Sequence, residues 1–170
     1  MKITGGQLKG RVVQFRKHPS VRPTSSRVRE ALFSMLGQSL DGRTFLDAFG
    51  GSGIMGIEAY SRGAQSTVCE KDFRTASQIR KSIEVLGANI EVLSKPVPKV
   101  LQMRQWQDVF LDPPYDDNPQ HWFEQMALFS TDRLVIEFHN KWMVPEPSNG
   151  FQLRRHSRYG DSCIAIYTLG

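Results

Sequence analysis

The sequence is short of cysteine. Cys69 and Cys163 are the only two, they lie far apart, and no Cys-x-x-Cys or Cys/His spacing accompanies them. A disulfide framework and a structural zinc site are therefore excluded, and the usage fits a reducing compartment. Cys69 sits in an apolar run and reads as core. His18, His121, His139 and His156 are scattered, so no metal site is expected. Membrane spans need about 20 apolar residues, and no run approaches that. The N-terminus has no apolar signal region, which makes the cytoplasm the default expectation. A further absence is acidic residues at the start: Glu30 is the first in the chain.

That last absence concentrates charge. Residues 1–30 hold eight Lys or Arg against Glu30 alone, a formal +7, whereas the remainder, with fourteen bases and sixteen acids, carries −2. A basic arm on a near-neutral body suggests a polyanionic partner; the alternative is a solvated basic face. A chain of 170 residues suits one compact domain, 1–170, with 1–37 as a basic extension and 38–170 as the ligand-binding core.

Residues 2–15 read as a short hairpin with Gly5, Gly6 and Gly10 near its turn. Ser25 or Ser26 caps a helix to about Leu36, with Val28, Leu32 and Met35 on one face and Gly37 as the stop. Strands and helices then alternate. Strands are expected at 44–49, 66–70, 89–93, 108–112 and 134–138, and helices at 54–62 and 122–129. A further helix over about 73–86 places Phe73, Ala76, Ile79, Ile83 and Leu86 on one face. Residues 151–158 and 163–169 form a final hairpin about Gly160-Asp161. This alternation predicts an α/β fold with a mostly parallel sheet covered on both faces, and ligands beyond the carboxyl ends of its strands.

The first strand runs into Asp47-Ala48-Phe49-Gly50-Gly51-Ser52-Gly53, and Gly51, Gly53 and Gly56 make a G-x-G-x-x-G. Glycines there permit a tight turn and close approach of a ligand to the backbone. Glu70, closing the second strand, is placed to accept from ribose hydroxyls. The fingerprint fits a dinucleotide or S-adenosylmethionine. Asp47 favours the second, because a carboxylate repels a pyrophosphate and attracts an ammonium.

The fourth strand ends in Asp112-Pro113-Pro114-Tyr115. Two prolines fix φ, supply no N–H and make a rigid corner. The Asp112 carboxylate and Pro113 carbonyl are candidate acceptors for one NH₂ group, and Tyr115 a candidate stacking platform for the base that carries it. An exocyclic amine is conjugated with its ring. Two acceptors favour a pyramidal nitrogen and stabilise its developing charge.

These residues resemble the exocyclic-amino methyltransferases of the class I fold, and the whole chain is similar to the bacterial small-subunit (16S) ribosomal RNA guanine-N2 methyltransferases. The likeness runs through Gly5-Gly6…Lys9-Gly10-Arg11, Arg22-Pro23-Thr24…Arg27-Val28-Arg29-Glu30, the glycine loop, Glu70-Lys71-Asp72 and Asp112-Pro113-Pro114-Tyr115. It implies a seven-stranded, Rossmann-like, mostly parallel sheet and S-adenosylmethionine as methyl donor. Asp47, Phe49, Gly51, Ser52, Gly53, Glu70 and Lys71 are then its site, and Asp112 to Tyr115 the catalytic corner. It also implies ribosomal RNA or the small subunit as partner. Arg11, Arg22, Arg27 and Arg29 are the phosphate-binding choices, since a guanidinium engages phosphate bidentately; for Arg27 and Arg29, on the expected helix beside Glu30, the alternative is pairing within the fold. One departure is Ser94-Lys95-Pro96-Val97, where the family commonly has Asp or Asn near the adenine; a backbone contact is the alternative there. An adenine-N6 target in DNA or RNA, a nicotinamide-dependent oxidoreductase and a non-catalytic RNA-binding module are the competing readings.

Overall fold

The structure is a computed structural model that describes residues 1–15 and 24–170. A seven-stranded sheet forms its centre, in the order β3-β2-β1-β4-β5-β7-β6. The strands are β1 (Thr44–Asp47), β2 (Gln65–Cys69), β3 (Glu91–Leu93), β4 (Trp106–Leu111), β5 (Ser130–His139), β6 (Phe151–Tyr159) and β7 (Ser162–Leu169). The first five are parallel, and β7 runs antiparallel between β5 and β6. The helices are α1 (Ser26–Leu36), α2 (Ile54–Ser61), α3 (Phe73–Leu86), α4 (Val97–Leu101) and α5 (Pro119–Met126).

The parallel strands carry continuous apolar runs because helices cover both faces. One face packs Phe33, Phe45, Ile57, Val68 and Phe110 together; the other packs Leu46, Trp106, Val109, Phe123 and Tyr167. Ile3 and Val13 of the N-terminal segment join the first of these clusters. Local signals set the helix ends. Ser25 caps α1 by accepting from the Val28 N–H at 3.3 Å, and Asp72 caps α3 by accepting from the Thr75 N–H at 2.7 Å. Gly87 closes α3 in the left-handed conformation.

Three expectations need correction, and the N-terminal hairpin holds: Lys2 bridges Val12, the Val13 N–H donates to the Met1 carbonyl at 2.7 Å and the Ile3 N–H to the Arg11 carbonyl at 3.0 Å, and Gly6 and Gly10 turn the chain with positive φ. Phe73 does not share the apolar face of α3: it is the helix's first residue and 72% exposed. The fifth helix starts at Pro119, capped by Asn118, where proline's fixed φ suits the first turn. The short α4 escaped prediction because Pro96 and Pro98 read as breakers, although Pro98 falls in the first turn of that helix. Among the described residues, no helix is long and apolar enough to cross a membrane.

Candidate active site

The chain leaves β1 to build β2 and β3 on one side and returns to place β4 on the other, so the topological switch lies between β1 and β4. Both strands end on the same edge: Asp47 pairs with Phe110, and the Ala48 N–H donates to the Phe110 carbonyl at 3.0 Å. The glycine loop and the Asp112 corner are thereby neighbours, as the sequence reading required.

The loop is held from both sides. Gly50 N–H donates to the Cys69 carbonyl at 2.7 Å, and Gly53 N–H to the Gly50 carbonyl at 2.6 Å. Gly53 is left-handed (φ 73°) and starts α2. At Gly56 the requirement is proximity, since a Cβ would collide with the Val68 side chain of β2. Ser52 is buried within the loop, and its Oγ accepts from the Ile54 N–H at 3.4 Å. Phe49 packs edge-on against Trp122 of α5 at 4.8 Å, joining the loop to the helix that follows the proline corner.

Asp47 is 1% exposed, and its Oδ2 accepts from the Gly56 N–H at 3.1 Å. Its Oδ1 has no hydrogen-bond partner among the described residues. Burial pushes its pKa up to about 7, against the Gly56 hydrogen bond and with the aid of the nearby Glu70 charge. A buried acceptor without a partner is costly, and a cation supplied from outside would relieve it. Glu70, half-buried, bridges the loop: Oε2 accepts from the Gly51 N–H at 2.9 Å and Oε1 from the Asp72 N–H at 2.8 Å. Each oxygen retains acceptor capacity for a hydroxyl. Lys71 beside it is exposed. These features fit the amino-acid end and ribose of S-adenosylmethionine. In the departing segment, the Lys95 carbonyl accepts from the Cys69 thiol at 3.1 Å, and Ser94 Oγ accepts from Arg80 at 2.7 Å.

At the corner, Asp112 is half-buried, Pro113 buried and Pro114 exposed. The Asp117 N–H donates to the Pro114 carbonyl at 2.9 Å, closing the turn. Tyr115 is positioned three ways. Its hydroxyl lies 3.1 Å from Ser162 Oγ, its ring meets His139 edge-on at 5.1 Å, and its carbonyl accepts from the Trp142 indole at 2.9 Å. His139, Trp142 and Ser162 were not legible as site residues, because each belongs to an element far along the chain from the motif. Trp122 had a signal, a tryptophan soon after the corner, but one indistinguishable from a core residue.

The arginines separate. Arg29 is 2% exposed: it pairs with Glu58 at 3.0 Å and donates to the Thr24 and Lys2 carbonyls at 2.6 and 2.7 Å. Its expected phosphate contact is corrected, because burial in an internal ion pair leaves it no outward donor. Arg11 is exposed but donates to the Leu86 and Val85 carbonyls at 2.7 and 3.0 Å, capping the C-terminus of α3. Arg27 is exposed at the start of α1. Arg22 lies outside the described residues. Among those residues, no group of His, Cys, Asp and Glu could hold a metal ion.

Comparison with known proteins agrees with this geometry. The family described as Conserved hypothetical protein 95 matches residues 1–168. The ribosomal RNA small subunit methyltransferase D of Escherichia coli strain K12 is 37% identical over 150 residues, covering 86% of this chain and 71% of the relative. An E. coli structure, yhhF, described as a candidate methyltransferase, superposes with TM-score 0.83 at 29% identity over 99% of this chain and 97% of its own. The magnesium protoporphyrin IX methyltransferase of Synechocystis, solved with S-adenosylmethionine bound, shares the fold at TM-score 0.64 and 15% identity, covering 85% of this chain and 79% of its own. The chain belongs to the Conserved hypothetical protein 95 family, together with the small-subunit ribosomal RNA methyltransferase D proteins.

Proposed function

We propose that this protein transfers a methyl group from S-adenosylmethionine to the exocyclic N2 amine of a guanine in small-subunit ribosomal RNA. The observation that carries the reading is the adjacency of two sites on neighbouring strand ends: a buried carboxylate at Asp47, one oxygen of which has no partner among the described residues, and the rigid Asp-Pro-Pro-Tyr corner after β4. When bound, S-adenosylmethionine would supply an electrophilic methyl on a sulfonium, with a neutral thioether as the leaving group. Asp47 would hold its ammonium, the loop glycines would allow close approach, and Glu70 would receive the ribose hydroxyls. A dinucleotide would instead set a pyrophosphate near Asp47, which disfavours the oxidoreductase reading.

The chain's task at the acceptor is positioning and charge stabilisation. Asp112 and the Pro113 carbonyl accept from the two amine hydrogens and draw the nitrogen out of conjugation. The new N–C bond makes that nitrogen cationic. Asp112 stabilises the charge until one proton departs to solvent. Tyr115, fixed by Ser162, His139 and Trp142, provides the platform for the base.

The relatives' name supports ribosomal RNA as the substrate, and the fold and donor set support the methyl donor. The test is incubation with labelled S-adenosylmethionine and small-subunit RNA, naked and assembled, followed by nucleoside analysis. Label in N2-methylguanine is expected; label confined to N6-methyladenine, or none in RNA, overturns the assignment.

A further inference from the structure

The arginines expected to grip RNA are partly used elsewhere: Arg29 is buried and Arg11 caps α3. Positive charge stands outward at a different place. Strand β6 is the edge of the sheet, and its exposed side chains include Arg154, Arg155, His156 and Arg158. Arg154 Nε donates to Thr168 Oγ1 at 2.6 Å and Arg158 Nε to the Gly160 carbonyl at 2.9 Å. Each bond takes the inner nitrogen of an exposed guanidinium, and its two terminal nitrogens remain available as donors. A guanidinium held this way has lost part of its freedom before binding and presents the pair of donors that suits a phosphate.

The strand leads to the active edge. It ends at the Gly160-Asp161 turn, and β7 begins beyond the turn at Ser162, whose Oγ lies 3.1 Å from the Tyr115 hydroxyl. The Asp161 carbonyl also accepts from the Asn140 N–H, just after β5, at 2.8 Å. Beside that turn is a concavity of about 310 Å³ lined by Ser25, Arg27, Val28, Arg158, Tyr159 and Gly160. Arg27 of α1 and the end of β6 at Arg158 to Gly160 thus line one hollow from two elements, on the edge that carries the proline corner. Arg155, paired opposite Ile166, and Arg158, paired opposite Cys163, leave alternate faces of this edge strand, so a phosphate chain running along the edge would meet one guanidinium from each side.

An exposed edge also invites another protein's strand. Here the ladder is irregular between Leu153 and Arg155, and the exposed run is cationic; both features discourage strand addition. The same charge complements a phosphate chain.

We infer that the β6 edge, with Arg27 across the hollow, is a phosphate-binding track that leads the RNA backbone to the Asp112 corner. This rests on the proposed RNA methylation and deepens it by naming where the backbone lies. The track shares only Arg27 with the N-terminal arm; its other residues, Arg154, Arg155 and Arg158, lie near the other end of the chain.

The test uses full-length protein and a triple variant, Arg27→Gln, Arg155→Gln and Arg158→Gln. Binding to small-subunit RNA, naked and in assembled subunits, is measured across a salt series. S-adenosylmethionine affinity by calorimetry and thermal midpoint are measured alongside. Loss of three phosphate contacts should make the log–log salt slope shallower by about two to three, at roughly 0.7–0.9 per contact. KM for RNA should rise by at least about tenfold, with donor affinity and midpoint unchanged. An unchanged slope, or a wild-type protein that binds no RNA, overturns the track. Undiminished affinity for assembled subunits, with no binding of naked RNA by either protein, also overturns it. The binding arm needs no turnover. A wild-type protein that binds RNA without methylating it therefore refutes the acceptor assignment, and the slope still decides the track.

Discussion

At the scale of single residues, the site divides between two carboxylates with opposite environments. Asp47 is buried with one oxygen unpartnered among the described residues, and its pKa is pushed up to about 7 by burial. Binding a cationic ammonium there requires the ionised form. Affinity for S-adenosylmethionine should therefore rise with pH up to about 7 and level off above it, with a slope of at most about tenfold per pH unit. Asp47→Asn should bind more weakly and show no such rise; calorimetry from pH 5.5 to 8 distinguishes the cases, and a flat wild-type profile removes Asp47 from the ammonium. On the proposed mechanism Asp112 acts on the acceptor instead. Asp112→Ala should lower kcat by about 10²–10³-fold, the usual cost of removing one preorganised charge-stabilising group, while donor affinity stays near wild type. Near-normal turnover rejects the corner mechanism. Both carboxylates were legible in the sequence because each abuts a motif that constrains the backbone, glycines in one case and prolines in the other. For Arg29 the alternative of pairing within the fold is the one the structure takes, but its partner is Glu58 on α2, far along the chain, and a charge pattern does not reveal a buried ion pair formed across such a distance.

At the scale of elements, α2 carries the loop and is anchored from behind. Glu58 is fully buried and accepts from Arg29 at 3.0 Å, from Arg62 at 2.5 Å, and from both the backbone N–H and hydroxyl of Thr4 at 2.9 Å. Arg62 also lies 4.3 Å above the Phe33 ring. One carboxylate thus ties the N-terminal segment, α1 and α2 together. Removing it strands two buried guanidiniums. Glu58→Ala should destabilise the fold by about 3–5 kcal/mol, the range for breaking a buried pair from one side. Urea unfolding at neutral pH measures this, and a loss below about 1 kcal/mol means that water replaces the carboxylate. Element types were readable because their periods and caps are local: Ser25, Asp72 and Gly87 occupy the ends that their side chains or conformations favour. What local signals did not reveal was the placement of β7 between β5 and β6, which brings Ser162 to Tyr115.

At the scale of the whole molecule, the two ends of the sheet respond to acid in opposite ways. At the amino ends of β4 and β5, Asp108 accepts from Arg43 at 2.7 and 2.8 Å and from Arg133 at 2.6 and 2.8 Å. Burial alone would raise its pKa; the bonds from Arg133 and Arg43 outweigh that and hold it below the usual carboxylate value. Its stabilisation is present above about pH 4, the unfolded value, and is lost as pH falls through the lower folded value. Asp47, at the ligand edge, has a raised pKa, so the folded form keeps a proton that the unfolded chain releases. The stability linked to that proton is full below about pH 4 and disappears as pH rises to about 7, then stays constant. The structural end therefore favours neutral pH, and the functional end is destabilising there, as expected where binding needs an uncompensated charge. Asp47→Asn preserves shape and removes the titration. Above pH 7 the variant should be more stable than wild type by at most about 4 kcal/mol, and the advantage should vanish near pH 4. Saturating S-adenosylmethionine should narrow the gap at pH 8, because its ammonium gives Asp47 the partner it lacks. Thermal unfolding of both proteins at pH 4 to 8, with and without the ligand, decides the matter: parallel pH profiles would show that Asp47 is already ionised and compensated in the free protein.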